Sequence, residues 1–583
     1  MMKSKSISVL LVIQLYILLF SHNSYAQNNL NFQAINTDHS SIFKNLHFKS
    51  NYTSLTEIQT ALKEVLQSLH NDGYLLASLD SNRQDSLSYV AFISVGNKYK
   101  WGHLSPAKGS ENILAETGYR ERFYSKTPFS PKDINKLFNK VLVWCENNGY
   151  PFATIKLDSV RIENEAIFAL VNIHKNKFIL LDSIIIDGNA NISKNFIQHY
   201  FQVREGAPYS EQYLMKIGQK AKQLPFISET KPQLIRITDK YTKLHLFFDK
   251  KNASQFDGII GLLPNASGKT VFTGDVRIKL QNNIFKAGEL VDLNWRRLQS
   301  QTQDLKLQIA YPYLFNSPVG TDYSLKIYRR DTSFIDVQNN IGLQYIFNGL
   351  NNIKVFYKQR NANLLSTAGL ETATTLPDYA DILTRSYGLG INYEKLDYKF
   401  NPRKGISVII NTSAGNRQIK KNARLNPSIY SNLILNSPQY QSEGMINTYL
   451  PLLKRSALKL GSQFGSIYGN QIFKNELFRI GGLKTLRGVD EESIFASTYV
   501  ITSVEYRFLF EQNSAIYLFS DAAWYENNSV NTYITDMPMS IGAGISFETK
   551  AGIFSLNYAL GKQFNNSMDI CTGKIHFGIV NSF

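Results

Sequence analysis

Two rhythms of apolar and polar residues divide the chain. Up to about residue 250, apolar positions recur at helical spacing and then give way to short alternating runs. Ser54-Leu55-Thr56-Glu57 reads as a capping box. The helix it opens carries Leu55, Ile58, Leu62, Val65, Leu66 and Leu69 on one face. Asn71-Asp72-Gly73 should end it, with strand-like stretches over 74–80 and 89–95. The same order returns further on. Ser130-Pro131-Lys132-Asp133 starts a helix with proline in its first turn, and Ile134, Leu137, Phe138, Val141, Leu142 and Cys145 form its stripe. Asn147-Asn148-Gly149-Tyr150 closes it before an extended stretch over 151–158. Gly73 and Gly149 lie 76 positions apart (149 − 73), the mark of an internal repeat.

A third unit starts with a strand over 181–186 and the turn Asp187-Gly188-Asn189. A helix with Ile192, Phe196, Ile197, Tyr200 and Phe201 follows, then one with Tyr213, Leu214, Ile217, Ala221 and Leu224. Strands over 233–238 and 243–248 complete a β-α-α-β-β order. From Gln255 the period drops to two. Leu305, Leu307, Ile309 and Tyr311 alternate with Lys306, Gln308 and Ala310, and Phe554, Leu556, Tyr558 and Leu560 with Ser555, Asn557 and Ala559. Turns such as Asn348-Gly349 and Asn401-Pro402-Arg403-Lys404-Gly405 punctuate the runs. At roughly ten residues per strand plus turns, 255–583 suits an antiparallel sheet of about 16 strands.

The start of the chain reads as a signal peptide over 1–26. Lys3 and Lys5 precede a mostly apolar run over 7–20, and Ser24-Tyr25-Ala26 offers a small-residue cleavage site before Gln27. That run falls short of the roughly 20 apolar residues a spanning helix needs, and no later stretch supplies them. Residence in a membrane therefore requires a closed barrel, which satisfies its backbone hydrogen bonds in lipid. The 33 Tyr and 36 Phe beside a mean hydropathy of −0.22 fit strands with one apolar and one polar face. The net charge of +17 is spread out without a basic block. It suits an anionic membrane surface rather than a nucleic acid.

Little in the sequence points to catalysis. Cys145 and Cys571 are the only cysteines and sit in different halves, which speaks against a disulfide framework and a metal site. Asn265-Ala266-Ser267-Gly268-Lys269-Thr270 resembles the end of a P-loop, but Leu263 occupies the position that pattern reserves for glycine. His-Glu-x-x-His, Gly-x-Ser-x-Gly and Cys-x-x-Cys patterns are missing from the sequence. The expectation is a protein without cofactor, metal or enzymatic activity.

The β-α-α-β-β unit over 178–251 is similar to a POTRA domain, the periplasmic module that precedes barrels of the BamA/TamA superfamily. Residues 100–177 resemble a second such domain and 27–99 a partial one. Arg479-Ile480-Gly481-Gly482-Leu483-Lys484-Thr485-Leu486-Arg487-Gly488-Val489 resembles the conserved-loop motif of that superfamily. Gly481, Gly482, Leu486, Arg487 and Gly488 carry the match; Val489 stands where the family has an aromatic. Val504-Glu505-Tyr506-Arg507 resembles the next family strand. Ala515 to Ala523 resembles the one after, whose aspartate, here Asp521, faces the lumen. Gly542-Ala543-Gly544-Ile545 through Gly552-Ile553-Phe554 resembles the penultimate hairpin.

The resemblance implies periplasmic POTRA repeats of α+β type followed by a transmembrane antiparallel β-barrel of about 16 strands in the bacterial outer membrane. It implies that the loop folds into the lumen and that Arg487 pairs with Asp521 there. It also implies a weak seam between the first strand, over 255–263, and the last, over 574–583, with Phe583 as the terminal aromatic. The implied function is assembly, insertion or translocation. POTRA domains would engage unfolded outer-membrane or secreted clients, by strand addition that reads no particular sequence, and the seam would insert them into lipid. An accessory periplasmic or inner-membrane protein would fit beside it. The alternative is a two-partner-secretion pore exporting one dedicated protein. Such pores usually carry two POTRA domains, a lumenal helix and a linker, and residues 27–50 show neither an amphipathic helix nor a Pro-rich linker.

Overall fold

The computed structural model describes residues 28–580, except 36–41, 46–47, 50, 53, 85–87, 265–269, 298–301, 369–377, 400, 550–551, 565, 567 and 569–572. Residues 1–26, where the sequence suggests a signal peptide, and Cys571, Phe583 and most of the P-loop-like stretch fall outside the described residues. The chain divides into two compact units. One comprises residues 1–179 with 208–211, the other 180–207 with 212–583.

The first unit holds two α/β domains of one topology. In the second of them, Ala166–His174 is the central strand, parallel to Lys100–Pro106 and antiparallel to Thr154–Glu163. The helix Pro131–Asn147 covers this sheet, with Ile134, Leu137, Val141 and Cys145 buried against Trp101, Leu104, Ile167 and Val171. Ser130 caps the helix, its Oγ accepting from the Asp133 amide at 3.3 Å. The first domain repeats the plan around Ser88–Ser94, and Ile58, Ala61, Leu62, Val65 and Leu69 of the helix Leu55–Asn71 are its buried stripe. Leu55, expected on that stripe, is 45% exposed. The sequence pattern gave this domain only a helix and a hairpin. The structure adds Asn28–Ala34, which runs parallel to Ser88–Ser94 and completes the topology.

The repeat extends to the helix ends. Gly73 and Gly149 have φ of +99° and +88°. The amides of Tyr74 and Tyr150 reach back to the carbonyls of Leu69 and Cys145 at 3.0 and 2.9 Å. This left-handed exit suits glycine. The next residues are turn rather than strand: the Ala77 amide bonds to the Tyr74 carbonyl and that of Ala153 to Tyr150. The strands expected from 74 and 151 therefore begin only at Ser78 and Thr154.

In the second unit the third α/β domain has the same sheet order. Thr242–Lys250 is central, parallel to Ser183–Asp187 and antiparallel to Ile227–Ile237. The helix Lys194–Phe201 buries Phe196, Ile197, Tyr200 and Phe201. The second predicted helix is broken into Glu211–Met215 and Ile217–Ala221, and Tyr213 is 38% exposed.

The remaining strands form one antiparallel sheet of seventeen, in sequence order from Gln255–Pro264 to Lys574–Val580, save that a loop with its own two-stranded ribbon lies between Ser456–Gly469 and Thr498–Leu509. Thr532–Asp536 and Met539–Thr549 both pair with Ala515–Ser529. They are one return strand interrupted at Pro538, which lacks an amide for the ladder. Sixteen strands (17 − 1) therefore lie side by side. On Thr498–Leu509, Val500, Val504, Tyr506 and Phe508 are exposed, while Ile501, Glu505 and Leu509 are buried. The outward face is mostly apolar, while the inward face mixes apolar Ile501 and Leu509 with Ser503, Glu505 and Arg507, the alternation of a strand with lipid on one side. No helix among the described residues is long and apolar enough to cross a membrane.

The third domain sits on the sheet's turns. The Ser193 amide bonds to the Lys286 carbonyl at 2.7 Å. Asn195 Nδ2 donates to the Tyr313 carbonyl at 3.0 Å, and Gln202 Nε2 to the Phe347 carbonyl at 3.2 Å. Gly288 has φ +78° and lies so close to the Phe196 ring that any Cβ would collide with it.

Candidate functional site, the inner loop

The loop leaves Ser456–Gly469, runs inward over the sheet's polar face and returns at Thr498. Phe478–Ile480 and Ile494–Ala496 pair as an antiparallel ribbon at its base. Between them the chain doubles back through Gly481 and Gly482, with φ of +116° and +93°. The Gly481 amide bonds to Thr485 Oγ1 at 2.8 Å, and the Gly482 amide to the Leu486 carbonyl at 3.0 Å. Leu486 and Val489 are buried with Ile480, Ile494, Ile501, Ala523 and Tyr525. Val489 thus fits this apolar cluster without an aromatic ring.

Arg487 lies at the tip. Its Nε and Nη2 engage Asp521 Oδ2 and Oδ1 at 2.8 and 2.6 Å, the parallel fork that guanidinium and carboxylate planes allow. Its Nη1 meets Glu505 Oε2 at 2.9 Å, and Nη2 also meets Ser503 Oγ at 2.9 Å. The guanidinium carbon stands 3.5 Å from the centre of the Phe519 ring. Period-two geometry collects these partners: Ser503 and Glu505 share one face of one strand, Phe519 and Asp521 one face of the next. Asp521 and Glu505 are 0% and 2% exposed. Two buried carboxylates around one cation need further donors. Ser503 Oγ gives Asp521 one at 2.7 Å, and Arg507 pairs with Glu505.

Gly488 has φ +83°, and its backbone rests on Gly561 of the strand Gly552–Lys562. A Cβ on either residue would meet the other's backbone. Beyond the tip, Asp490 pairs with Lys574 on the last strand at 2.8 Å. Glu492 pairs with Arg296 on the third strand and with Arg479, each at 3.0 Å. The loop therefore touches both end regions of the sheet. Among the described residues Gln255–Pro264 and Lys574–Val580 are the sheet's two ends, each paired on one side.

A second ionic cluster holds the loop's rising limb, and sequence reasoning missed it. Arg417 Nε and Nη2 fork onto Glu476 Oε1 and Oε2, both at 2.7 Å. Both side chains are essentially inaccessible, at 0% and 1%. Arg417 also donates to the carbonyls of Asn470 and Gln471, and Gln439 and the Phe473 amide satisfy Glu476. Next to it, Arg360 forks onto Asp336 and donates to the Glu476 carbonyl at 2.9 Å. Arg417 and Glu476 are 59 positions apart, so no local motif joins them.

These features define a protein with N-terminal α/β domains, a large antiparallel sheet and a loop pinned across that sheet's inner face. The Omp85 superfamily domain matches residues 283–583, and the chain belongs to that superfamily. CdiB from Acinetobacter baumannii is similar in fold, at a TM-score of 0.51 and 13% identity, over 91% of this chain and 97% of that one. CdiB from Escherichia coli aligns at 0.51 and 12%, over 91% and 98%. BamA from Haemophilus ducreyi lacking POTRA domains 1–3 aligns at 0.41 and 15%, over 84% and 100%. No curated protein matches. The family consists of outer-membrane insertion or translocation proteins, and the chain is an outer-membrane β-barrel protein with POTRA-type domains.

Proposed function

We propose that this protein assembles or inserts other proteins at the outer membrane. Its POTRA-type domains, over 27–99, 100–177 and 178–251, would extend into the periplasm and engage client chains. The sheet of 255–583 would close as a barrel whose seam lies between its first and last strands. The observation that carries this reading is the seating of the loop. Its tip rests backbone to backbone on Gly561, one strand from the sheet's end, and Asp490 reaches the end strand itself at Lys574. A pinned loop bearing on the terminal hairpin suits a wall whose last strands have to be held and released. In this reading Arg487 and Asp521 set the loop's position and do no covalent chemistry. No nucleotide is required, because burying apolar client surface in lipid runs downhill.

A pore of the two-partner-secretion type is the second reading, and the likeness to the two CdiB structures favours it. Three α/β domains of one topology, rather than two, favour assembly. Quantitative proteomics of outer-membrane and secreted fractions, with and without the protein, separates the two. Depletion of several unrelated barrels is the outcome expected here. Loss of one secreted protein, retained in the periplasm, would replace assembly with dedicated export.

A further inference from the structure

The turn 312–318, between Gln303–Tyr311 and Val319–Arg330, is built against its own preferences. Tyr313, Phe315 and Asn316 have φ of +56°, +51° and +56°. Side chains resist this left-handed region, aromatic ones especially, and such strain persists only where the surroundings impose it. The third α/β domain imposes it here. Tyr313 is 2% exposed; its ring stacks on His199 at 5.1 Å and meets the edge of Phe196 at 5.7 Å. Its hydroxyl donates to the Gly349 carbonyl. On the other side of the turn, Asn316 Oδ1 and His199 Nε2 stand 3.2 Å apart. With both flanks held, Phe315 is thrown outward and is 95% exposed.

The neighbouring turn, 282–289, does the same. The Glu289 carboxylate gathers the amides of Ile284, Phe285 and Ala287 at 2.7, 2.9 and 2.9 Å. The two apolar side chains so presented, Ile284 and Phe285, are 55% and 64% exposed. Phe285 packs edge-on against Tyr311 at 5.8 Å. Tyr311 shares a strand face with Ile309, which is exposed on the outer wall. Val319, the first residue after the other turn, is also exposed and lies opposite the outward Tyr345. The apolar outer face of the sheet therefore continues past the strand ends onto these two turns, where Lys286 adds a cation.

We infer that Ile284, Phe285 and Phe315 form an apolar knuckle that dips into the headgroup region of the periplasmic leaflet. Docking of the third domain sets its posture. The occupant is a lipid surface. The knuckle prolongs a wall that already faces lipid, and aromatic side chains beside a lysine match the chemistry of a bilayer's interface. The inference rests on residence in the membrane and on the periplasmic placement of the third domain, and is independent of which clients are handled.

The test uses the full chain in vesicles of phosphatidylethanolamine and phosphatidylglycerol. A nitroxide is attached at Phe315→Cys in a Cys145→Ala, Cys571→Ser background, with Phe285→Cys as a second site and Lys454→Cys in another turn as reference. Oxygen, which concentrates in lipid, should relax the labels at 315 and 285 at least twofold more than a water-soluble nickel chelate does. The reference label should show the opposite order. Nickel accessibility at 315 and 285 equal to the reference would overturn the inference. So would shielding from both reagents, since that means a protein surface covers the knuckle.

Discussion

Replacing Arg487 with alanine withdraws one cation from between two carboxylates that stay behind. At 2.8 Å and an effective dielectric of about 20, the gross attraction to Asp521 is about 6 kcal/mol, much of which offsets the desolvation of both groups. What the substitution exposes is the uncompensated part. Asp521 keeps only Ser503 among its side-chain donors, while Glu505 keeps Arg507. Breaking a buried pair from one side costs about 3–5 kcal/mol, and the contact with Phe519 adds about 1 kcal/mol. Urea unfolding in lipid vesicles, followed by the gel-mobility difference between folded and unfolded barrels, should register a loss of about 4–6 kcal/mol. The barrel should still be folded without urea, with impaired assembly of client proteins. The decisive comparison is the double-mutant cycle. In an Asp521→Ala background, Arg487→Ala should cost about 2 kcal/mol less than it does alone. Losses that add to within about 0.5 kcal/mol would mean the two groups are uncoupled, and would refute the pin.

Four further outcomes follow from the same geometry. Gly561→Val drives a side chain into the Gly488 carbonyl, so it should loosen the loop tip and raise protease cleavage between 481 and 493 without changing the pattern of the α/β domains. Gly288→Val meets the Phe196 ring at a positive φ and should cost at least about 2 kcal/mol, read as a lowered midpoint for the third domain. Glu476→Gln leaves the buried Arg417 without its counter-charge and should destabilise the barrel by about 3 kcal/mol or more, whereas Arg417→Met paired with Glu476→Leu should recover part of that loss. Burial pushes the Lys220 ammonium down to about 8, its Nζ meeting the uncharged Tyr200 carbonyl and Gln202 Oε1. Because the unfolded chain binds more protons between about pH 8 and 10.5, stability of the third domain should rise across that window, by up to about 3 kcal/mol. Urea midpoints at pH 7.5 and 10 check this, and Lys220→Met should flatten the difference.

What the sequence disclosed was mainly local. Ser54 and Ser130 cap their helices, and Gly73 and Gly149 end them, because those signals lie within a few residues of the structure they set. Alternation marked the strands of the sheet because each wall residue faces either lipid or a polar interior. The strand Asn28–Ala34 escaped notice although Leu30, Phe32 and Ala34 alternate with Asn29, Asn31 and Gln33, because the run is short and its partner lies 59 positions on (88 − 29). The glycines, Leu486 and Arg487 of the loop stood out as a motif, and Asp521 by its place in a recognisable strand order. Glu505, Ser503 and Phe519 needed the register of two strands before they could be assigned to Arg487. Arg417 and Glu476 had no signal at all. A lone arginine in one strand and a lone glutamate in a loop look like ordinary surface charges until the fold buries both.

The contact between Gly488 and Gly561 has a consequence for how this chain itself matures. The loop tip is synthesised well before the strand it leans on, so during synthesis it has no backstop. Only when the hairpin of Met539–Thr549 and Gly552–Lys562 folds down does the tip acquire its floor. The two backbones then meet with no side chain between them to cushion a late adjustment. Seating the loop and laying the last hairpin are therefore a single event in the protein's own assembly, and a chain cut short before Gly552 would complete neither.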